Sequence, residues 1–300
     1  MTAQRTSPVR GRRVRRARRA LRCLRRFFKG DGLDVGKRVA SGAFNVVFQG
    51  VYNREPVAVR VCLSDSCVIS EGTDLNSALS EAKLLEQLDH PNIQPILRYL
   101  GAPCQRSMYA FVTIQTWATE GSLRERLRAA VEETEETFVL RVAKQLLSAV
   151  SYLATRSLVH LDIKPDNVLL FPEGRLKLTD FNLAERVGTP GCDGGTFGYI
   201  APELTRASER VERTAQPALD VWSVGCVLAD VVGWNKATCK QWFRWRCENP
   251  VVPFPCWFTP PRWYDRSTVK ELICDLVTPC PLQRPTANRV YGTLVRQCLL

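Results

Sequence analysis

Residues 158–170, Leu-Val-His-Leu-Asp-Ile-Lys-Pro-Asp-Asn-Val-Leu-Leu, set a polar tract, His160 to Asn167, directly before an apolar run, Val168 to Leu170. The run reads as a short strand. The polar tract is then a loop carried on the end of that strand. Asp162, Lys164 and Asn167 lie two and three residues apart, a spacing that suits a loop pointing three different groups at one reaction centre. A carboxylate can accept the proton of a hydroxyl nucleophile. An ammonium can neutralise a phosphoryl oxygen. An amide carbonyl can hold a Mg²⁺ ion.

The rest of the chain narrows the classes open to it. Three hundred residues, 45% of them hydrophobic, suit one large or two small domains with a substantial core. The longest apolar run, Val221 to Trp234, is interrupted by Asp230 and is too short to span a bilayer. Residues 1–29 lack the apolar stretch of a secretory signal. No membrane partner is therefore expected. Twelve cysteines are scattered without a C-x-x-C pair and read as reduced thiols of cytosol or nucleus. Only two histidines are present, His90 and His160. With so few, zinc sites and Ser-His-Asp catalysis have little to build on.

The net charge of +12 is confined to one end. Residues 1–29 hold eleven Arg and one Lys and no acid. Taking those twelve from the 42 basic residues leaves 30, equal to the 30 acidic ones. Residues 30–300 are thus formally neutral. A segment so charged is expected to be a disordered tail. It reads as a nuclear-import signal or a nucleic-acid contact, with a non-specific basic arm as the plain alternative. An organelle transit peptide fits less well, because the segment holds little Ser.

Further motifs follow in order. Val39-Ala-Ser-Gly-Ala-Phe-Asn-Val-Val-Phe48 and Pro56-Val-Ala-Val-Arg60 read as short strands. Asn76 to Leu88 is apolar at Leu79, Ala82, Leu85 and Leu88, a helical period, and carries Glu81. Asp89-His-Pro-Asn-Ile93 follows it, and Tyr109 to Thr116 reads as another strand. Phe138 to Leu153 is a helix apolar at Val139, Val142, Leu146, Val150 and Leu153. After the opening stretch come a hairpin, Gly174 to Asp180, then Asp180-Phe-Asn182, Gly195-Thr-Phe-Gly-Tyr-Ile-Ala-Pro-Glu203, Asp220-Val-Trp-Ser-Val-Gly225 and Gln283-Arg-Pro285. Asp220 opens a helix apolar on most faces, hence buried.

This ordered set, over about residues 33–298, resembles the protein-kinase family in its Ser/Thr branch. The resemblance implies an α+β, two-lobed fold: a small β-rich N-lobe over about 33–115, a larger helical C-lobe over about 119–300, and ATP between them. It implies Asp162 as the catalytic base and Lys164 as the phosphoryl-stabilising cation. Asn167 and Asp180 become the Mg²⁺ ligands. The nucleotide falls to Val39, Gly42, Val47, Ala58, Arg60, Glu81, Thr116, Ala118 and Leu169, with Gln115 the residue before the adenine-facing hinge. Asp220 is implied to brace the catalytic loop, and Arg284 to pair with Glu203. Protein substrates bearing Ser or Thr are the implied partners. The region Gly233 to Asp265, rich in Trp, Pro and Cys, reads as C-lobe packing or a partner surface.

Three departures cut against full activity. Ala40 and Asn45 stand where the phosphate loop keeps glycines, and Arg60 stands where the third strand keeps lysine. A fourth, Leu161 in place of the arginine that binds a phosphorylated activation loop, bears on regulation rather than on transfer. A pseudokinase, binding nucleotide but transferring phosphate poorly, is therefore the competing expectation. A nucleic-acid-binding protein led by the tail is the third. His160-Leu-Asp-Ile-Lys164, the degenerate glycine loop and the basic tail also look similar to herpesvirus-type protein kinases, which would put the chain in a host nucleus. Mos-like cellular kinases share His-Leu-Asp.

Overall fold

The computed structural model describes residues 32–41, 45–64, 74–104, 108–129, 135–192, 194–205, 213–232 and 268–297, together with Ala17, Arg18 and Leu21. Gly42 and the region 233–265 lie outside the described residues. The described residues fall into two compact units. One takes the chain up to Asp89 and Gln94–Ala118; the other takes His90–Ile93 and the chain from Thr119. The sequence placed the whole of 33–115 in the first unit. His90–Ile93 belongs to the second because its side chains bond there. Asn92 Nδ2 donates to Gln145 Oε1 at 2.8 Å and to the Leu176 carbonyl at 2.9 Å, and His90 Nε2 lies 3.1 Å from Ser148 Oγ.

The first unit is a five-stranded antiparallel sheet. Its strands are β1 (Asp34–Ser41), β2 (Asn45–Tyr52), β3 (Glu55–Ser64), β4 (Ile96–Cys104) and β5 (Met108–Thr116), in the order β1-β2-β3-β5-β4. Alternation sets its two faces. Val57, Val59 and Val61 of β3 are fully buried on one side, with Val46 and Phe48 of β2 and Val112 and Ile114 of β5. Ala58, Arg60 and Cys62 face the other side. There helix α1 (Asp74–Leu85) packs through Leu75 and Ala82 against Cys62 and Phe111. The helix was expected over Asn76–Leu88. It stops three residues earlier, and Leu88 reaches its buried place through a closing turn in which its N–H donates to the Leu85 carbonyl.

Two residues of the segment that charge alone left unpacked lie against the first sheet face. Ala17 and Leu21 are helical, buried, and part of the same apolar cluster as Val57 and Val112. The expectation of a tail outside the packed domain fails at these two positions. Residues four apart share one helix face, so two apolar side chains can reach the sheet while Arg18 extends toward the Phe48 ring, 6.0 Å away. Leu21→Ala is expected to cost about 2–5 kcal/mol, the usual range for emptying a buried leucine site. Thermal unfolding of the full chain checks this; an unchanged midpoint would mean that the contact contributes nothing.

The second unit is helical around one buried element. Helix α2 (Leu123–Ala129) is short. Helix α3 (Glu136–Thr155) lays a stripe from Val139 through Val142, Leu146 and Val150 to Leu153 into the core. Its chain continues into strands β6 (Leu158–Val159), β7 (Val168–Phe171), β8 (Arg175–Leu178) and β9 (Glu185–Arg186). Strands β7 and β8 form the expected hairpin and β6 pairs with β9. After α4 (Pro202–Thr205) comes α5 (Pro217–Val231), buried at every position from Leu219 to Val231. Pro217 sits in its first turn, where a missing N–H costs nothing. Helices α6 (Thr268–Leu276) and α7 (Ala287–Gln297) complete the described set. Gly225 lets α5 approach α6 closely: a Cβ there would lie 2.6 Å from a Val277 methyl and 2.9 Å from the Leu276 Cβ. Among the described residues no helix is long and apolar enough to cross a membrane.

Candidate active site

The loop that holds Asp162, Lys164 and Asn167 is clamped from below by α5. Asp220 accepts from the His160 N–H at 2.7 Å and the Leu161 N–H at 2.9 Å, the bracing role the resemblance implied. Burial pushes this carboxyl up to about 7, against the pull of the two N–H groups. The clamp holds Leu161 at φ 66°, a left-handed conformation that costs a side-chain-bearing residue about 1–3 kcal/mol. His160 is fully buried, and burial drops its imidazole to about 4, so it is neutral at pH 7. Its Nε2–H donates to the Thr179 carbonyl at 3.1 Å, which leaves Nδ1 to accept from the Asp162 N–H at 3.2 Å. The histidine orients the loop and takes no part as acid or base.

Above the clamp four side chains form one hydrogen-bonded cluster. Lys164 Nζ donates to Asp162 Oδ2 at 2.5 Å and to Thr196 Oγ1 at 2.7 Å. Thr196 Oγ1 donates to Asp162 Oδ1 at 2.7 Å. Asn167 Nδ2 donates to the Asp162 carbonyl at 2.9 Å and to Asp162 Oδ2 at 3.1 Å. The aspartate side chain is 10% exposed and the lysine 19%. A carboxylate has about four acceptor positions, so Asp162 keeps room for one more donor. The three-residue 3₁₀ turn Pro165–Asn167 sets the spacing of Lys164 and Asn167.

Asn167 and Asp180 suit a hard divalent cation. Both bonds of the Asn167 amide nitrogen go to Asp162, which leaves its carbonyl oxygen as ligand. The Thr179 N–H donates to the Asn167 backbone carbonyl at 3.0 Å, bringing Asp180 next to it. The donor set is all oxygen, as Mg²⁺ requires. Asn182 stands where the family's Asp-Phe-Gly keeps glycine, and the left-handed conformation falls on Asp180, at φ 68°, not on Asn182. The Asn182 amide donates to Asp180 Oδ1, fixing that carboxylate from the side.

Of the candidate nucleotide residues of the first unit, Val47, Ala58 and Arg60 share one sheet face, whereas Thr116 pairs with Val57 of the other. Val47 stands opposite Arg60, and Gln115, 4% exposed, opposite Ala58. Arg60 Nη1 meets Glu81 Oε1 of α1 at 3.2 Å, with the arginine 17% and the glutamate 6% exposed. Thr116 ends β5 and Ala118 follows it. Val39 is exposed on β1. In the second unit, Leu169 is half-exposed between two buried neighbours on β7 and bridges Ser122.

Two site residues escaped sequence reasoning. Gln94, 1% exposed, donates from Nε2 to the Thr116 carbonyl at 2.8 Å. An amide among Ile93, Ile96 and Leu97 was the available signal. Arg124, 5% exposed, donates to Asp166 at 3.1 Å and pairs with Asp230 at 3.2 Å. It also donates to the Tyr199 hydroxyl, which donates to Asp230. In the sequence it stands among three other charged residues of α2 and looks solvated.

The segment after Asp180 is tied down along its length. Strand β9 pairs with β6, the Val187 N–H donates to the Ser157 carbonyl, and the Cys192 N–H to the Arg213 carbonyl. Thr189 and Ala215 bond across, and Pro190 bridges Thr214. At its end Arg284 forks onto Glu203 at 2.9 and 3.1 Å. Gly195, at φ 121°, passes so near the Leu161 carbonyl that a Cβ would lie 2.9 Å from it.

The clamped loop with Asp162, Lys164 and Asn167 in one unit, and the strand base Arg60 paired to the helical Glu81 in the other, are features on which the protein-kinase resemblance rests. The protein kinase domain family matches residues 33–294, and the chain belongs to that family. Its β-rich and helical units are the α+β fold of that family. Human Mitogen-activated protein kinase kinase kinase 1 is 30% identical over 208 residues, 65% of this chain and 13% of the human one. Cyclin-dependent kinase 2 of Caenorhabditis elegans is 28% identical over 217 residues, 71% of this chain and 55% of the worm protein. Calcium/calmodulin-dependent protein kinase cmkA of Emericella nidulans is 27% identical over 264 residues, 84% of this chain and 59% of the fungal one. The matched region thus spans less than two thirds of each of these relatives.

Proposed function

We propose that the chain transfers the γ-phosphoryl group of ATP to Ser and Thr hydroxyls of proteins, with nucleotide positioning weakened by Arg60. The observation that carries this reading is the Asp162–Lys164–Thr196–Asn167 cluster. Asp162 orients an incoming hydroxyl and accepts its proton as the new P–O bond forms. Lys164 holds its charge against the transferring phosphoryl oxygens. Asn167 and Asp180 would hold Mg²⁺, which neutralises phosphate charge when bound. Positioning and charge stabilisation, rather than covalent chemistry, supply the rate. The Lys164–Thr196 link supports a Ser/Thr acceptor. Residues 1–29, eleven Arg and one Lys without an acid, support nuclear import or nucleic-acid contact by the same chain.

The test is transfer from labelled Mg·ATP to a generic basic protein, followed by identification of the labelled residue. Label on Ser or Thr is expected; label on Tyr alone would overturn the acceptor assignment. Ala40, Asn45 and Arg60 favour a second reading, a scaffold that binds nucleotide without transfer. Nucleotide binding with no labelled product would establish it.

Activation-segment phosphorylation is not the expected on-switch. A phosphate orders a loop by recruiting Arg-type donors, whereas this segment is held by backbone bonds and Leu161 is apolar and buried. Phosphatase treatment should leave activity near its starting value. Loss of activity, restored on rephosphorylation of Thr189, would contradict this.

A further inference from the structure

Gln94 carries a buried polar atom without a partner among the described residues. Its Nε2 is committed to the Thr116 carbonyl at 2.8 Å. Its Oε1 is buried and has no hydrogen-bond partner among the described residues. Buried amide oxygens are nearly always paired, so one left over beside a candidate binding segment points to a missing donor. The amide cannot turn over to hide it. That would set Oε1 against the Thr116 carbonyl, acceptor against acceptor, and the hydrogen bond fixes which end is nitrogen.

The Thr116 carbonyl has two lone pairs, of which Gln94 takes one. The second lone pair and the Gln94 Oε1 therefore form a pair of acceptors at the end of β5. The matching ligand group is one that offers two protons from a single nitrogen. We propose that Gln94 is a nucleobase-selecting residue, which with the Thr116 carbonyl receives both protons of the exocyclic amino group of a 6-aminopurine nucleotide. A 6-oxopurine would bring a third acceptor to this pair and supply neither proton. A site built to bond a group rejects the analogue that lacks it far more strongly than an apolar pocket does. This proposal rests on the reading of Thr116 and Ala118 as the segment facing the base.

The test compares ADP with inosine diphosphate, binding to the full chain by calorimetry. The wild type should prefer ADP by at least ~100-fold. In Gln94→Leu and Gln94→Met, apolar replacements of similar size, that ratio should fall by roughly tenfold or more, mainly through weaker ADP binding. Each replacement removes the unpaired acceptor together with the bond to the Thr116 carbonyl; both variants should remain folded, and their unfolding midpoints check it. An unchanged ratio in the folded variants overturns the proposal and leaves the reading of the base-facing segment intact. A wild-type preference under ~10-fold overturns it without any variant. If the wild type binds neither nucleotide, the reading of Thr116 and Ala118 falls, and the proposal with it.

Discussion

Asp162→Asn should reduce phosphate transfer by roughly 100- to 10,000-fold, the range for loss of a positioned general base, with ATP affinity nearly unchanged. The carboxylate receives Thr196 on Oδ1, and Lys164 and Asn167 on Oδ2. An amide at this position keeps the first bond. On the other side it turns an NH₂ group toward an ammonium and another amide NH₂. The incoming hydroxyl loses its proton acceptor, and Lys164 loses the partner that holds its charge in place. The backbone clamp by Asp220 does not involve this side chain, so the unfolding midpoint should move little. Single-turnover transfer and nucleotide binding measured on the same sample separate the two effects. A variant that keeps more than about a tenth of wild-type transfer would remove Asp162 from the chemistry.

Arg60→Lys should raise kcat, by up to about 100-fold, with a smaller change in ATP affinity. In kinases a lysine here bridges the helical glutamate and the α- and β-phosphates, and both contacts must form for fast transfer. Arg60 already reaches Glu81, one nitrogen to one oxygen at 3.2 Å. Its charge therefore remains on the correct sheet face. Its shape differs: a guanidinium is planar and wider than an ammonium, and the two are not interchangeable at a fixed site. The phosphates should bind but sit displaced, and a displacement of about 1 Å can cost on the order of 100-fold in rate. Equal or slower transfer by the lysine form would show that the surroundings have adapted to arginine. If neither form transfers phosphate while both bind nucleotide, the scaffold reading takes over.

Some of this protein was determined by the sequence alone. The catalytic loop, the β7–β8 hairpin and the α3 stripe are legible because each depends on spacing within about one turn or one strand. Asp220 under the loop and Arg284 on Glu203 were legible for a different reason. They lie 60 and 81 residues from their partners, and only the family's ordered motifs made them visible. What the tertiary structure decided is everything whose partner is distant and belongs to no motif. Gln94 meets Thr116 across 22 residues and Arg124 meets Tyr199 across 75, and nothing local distinguishes that arginine from its solvated neighbours. Charge density argued that residues 1–29 do not pack. Two apolar side chains four residues apart are enough to bury Ala17 and Leu21 on an apolar sheet face, because burial depends on which face a helix turns inward and not on its average charge. Asn182 is by residue type the more tolerant of a left-handed backbone, yet the fold places that conformation at Asp180. A turn's strain settles where surrounding bonds hold it, and those bonds exist only in the folded chain.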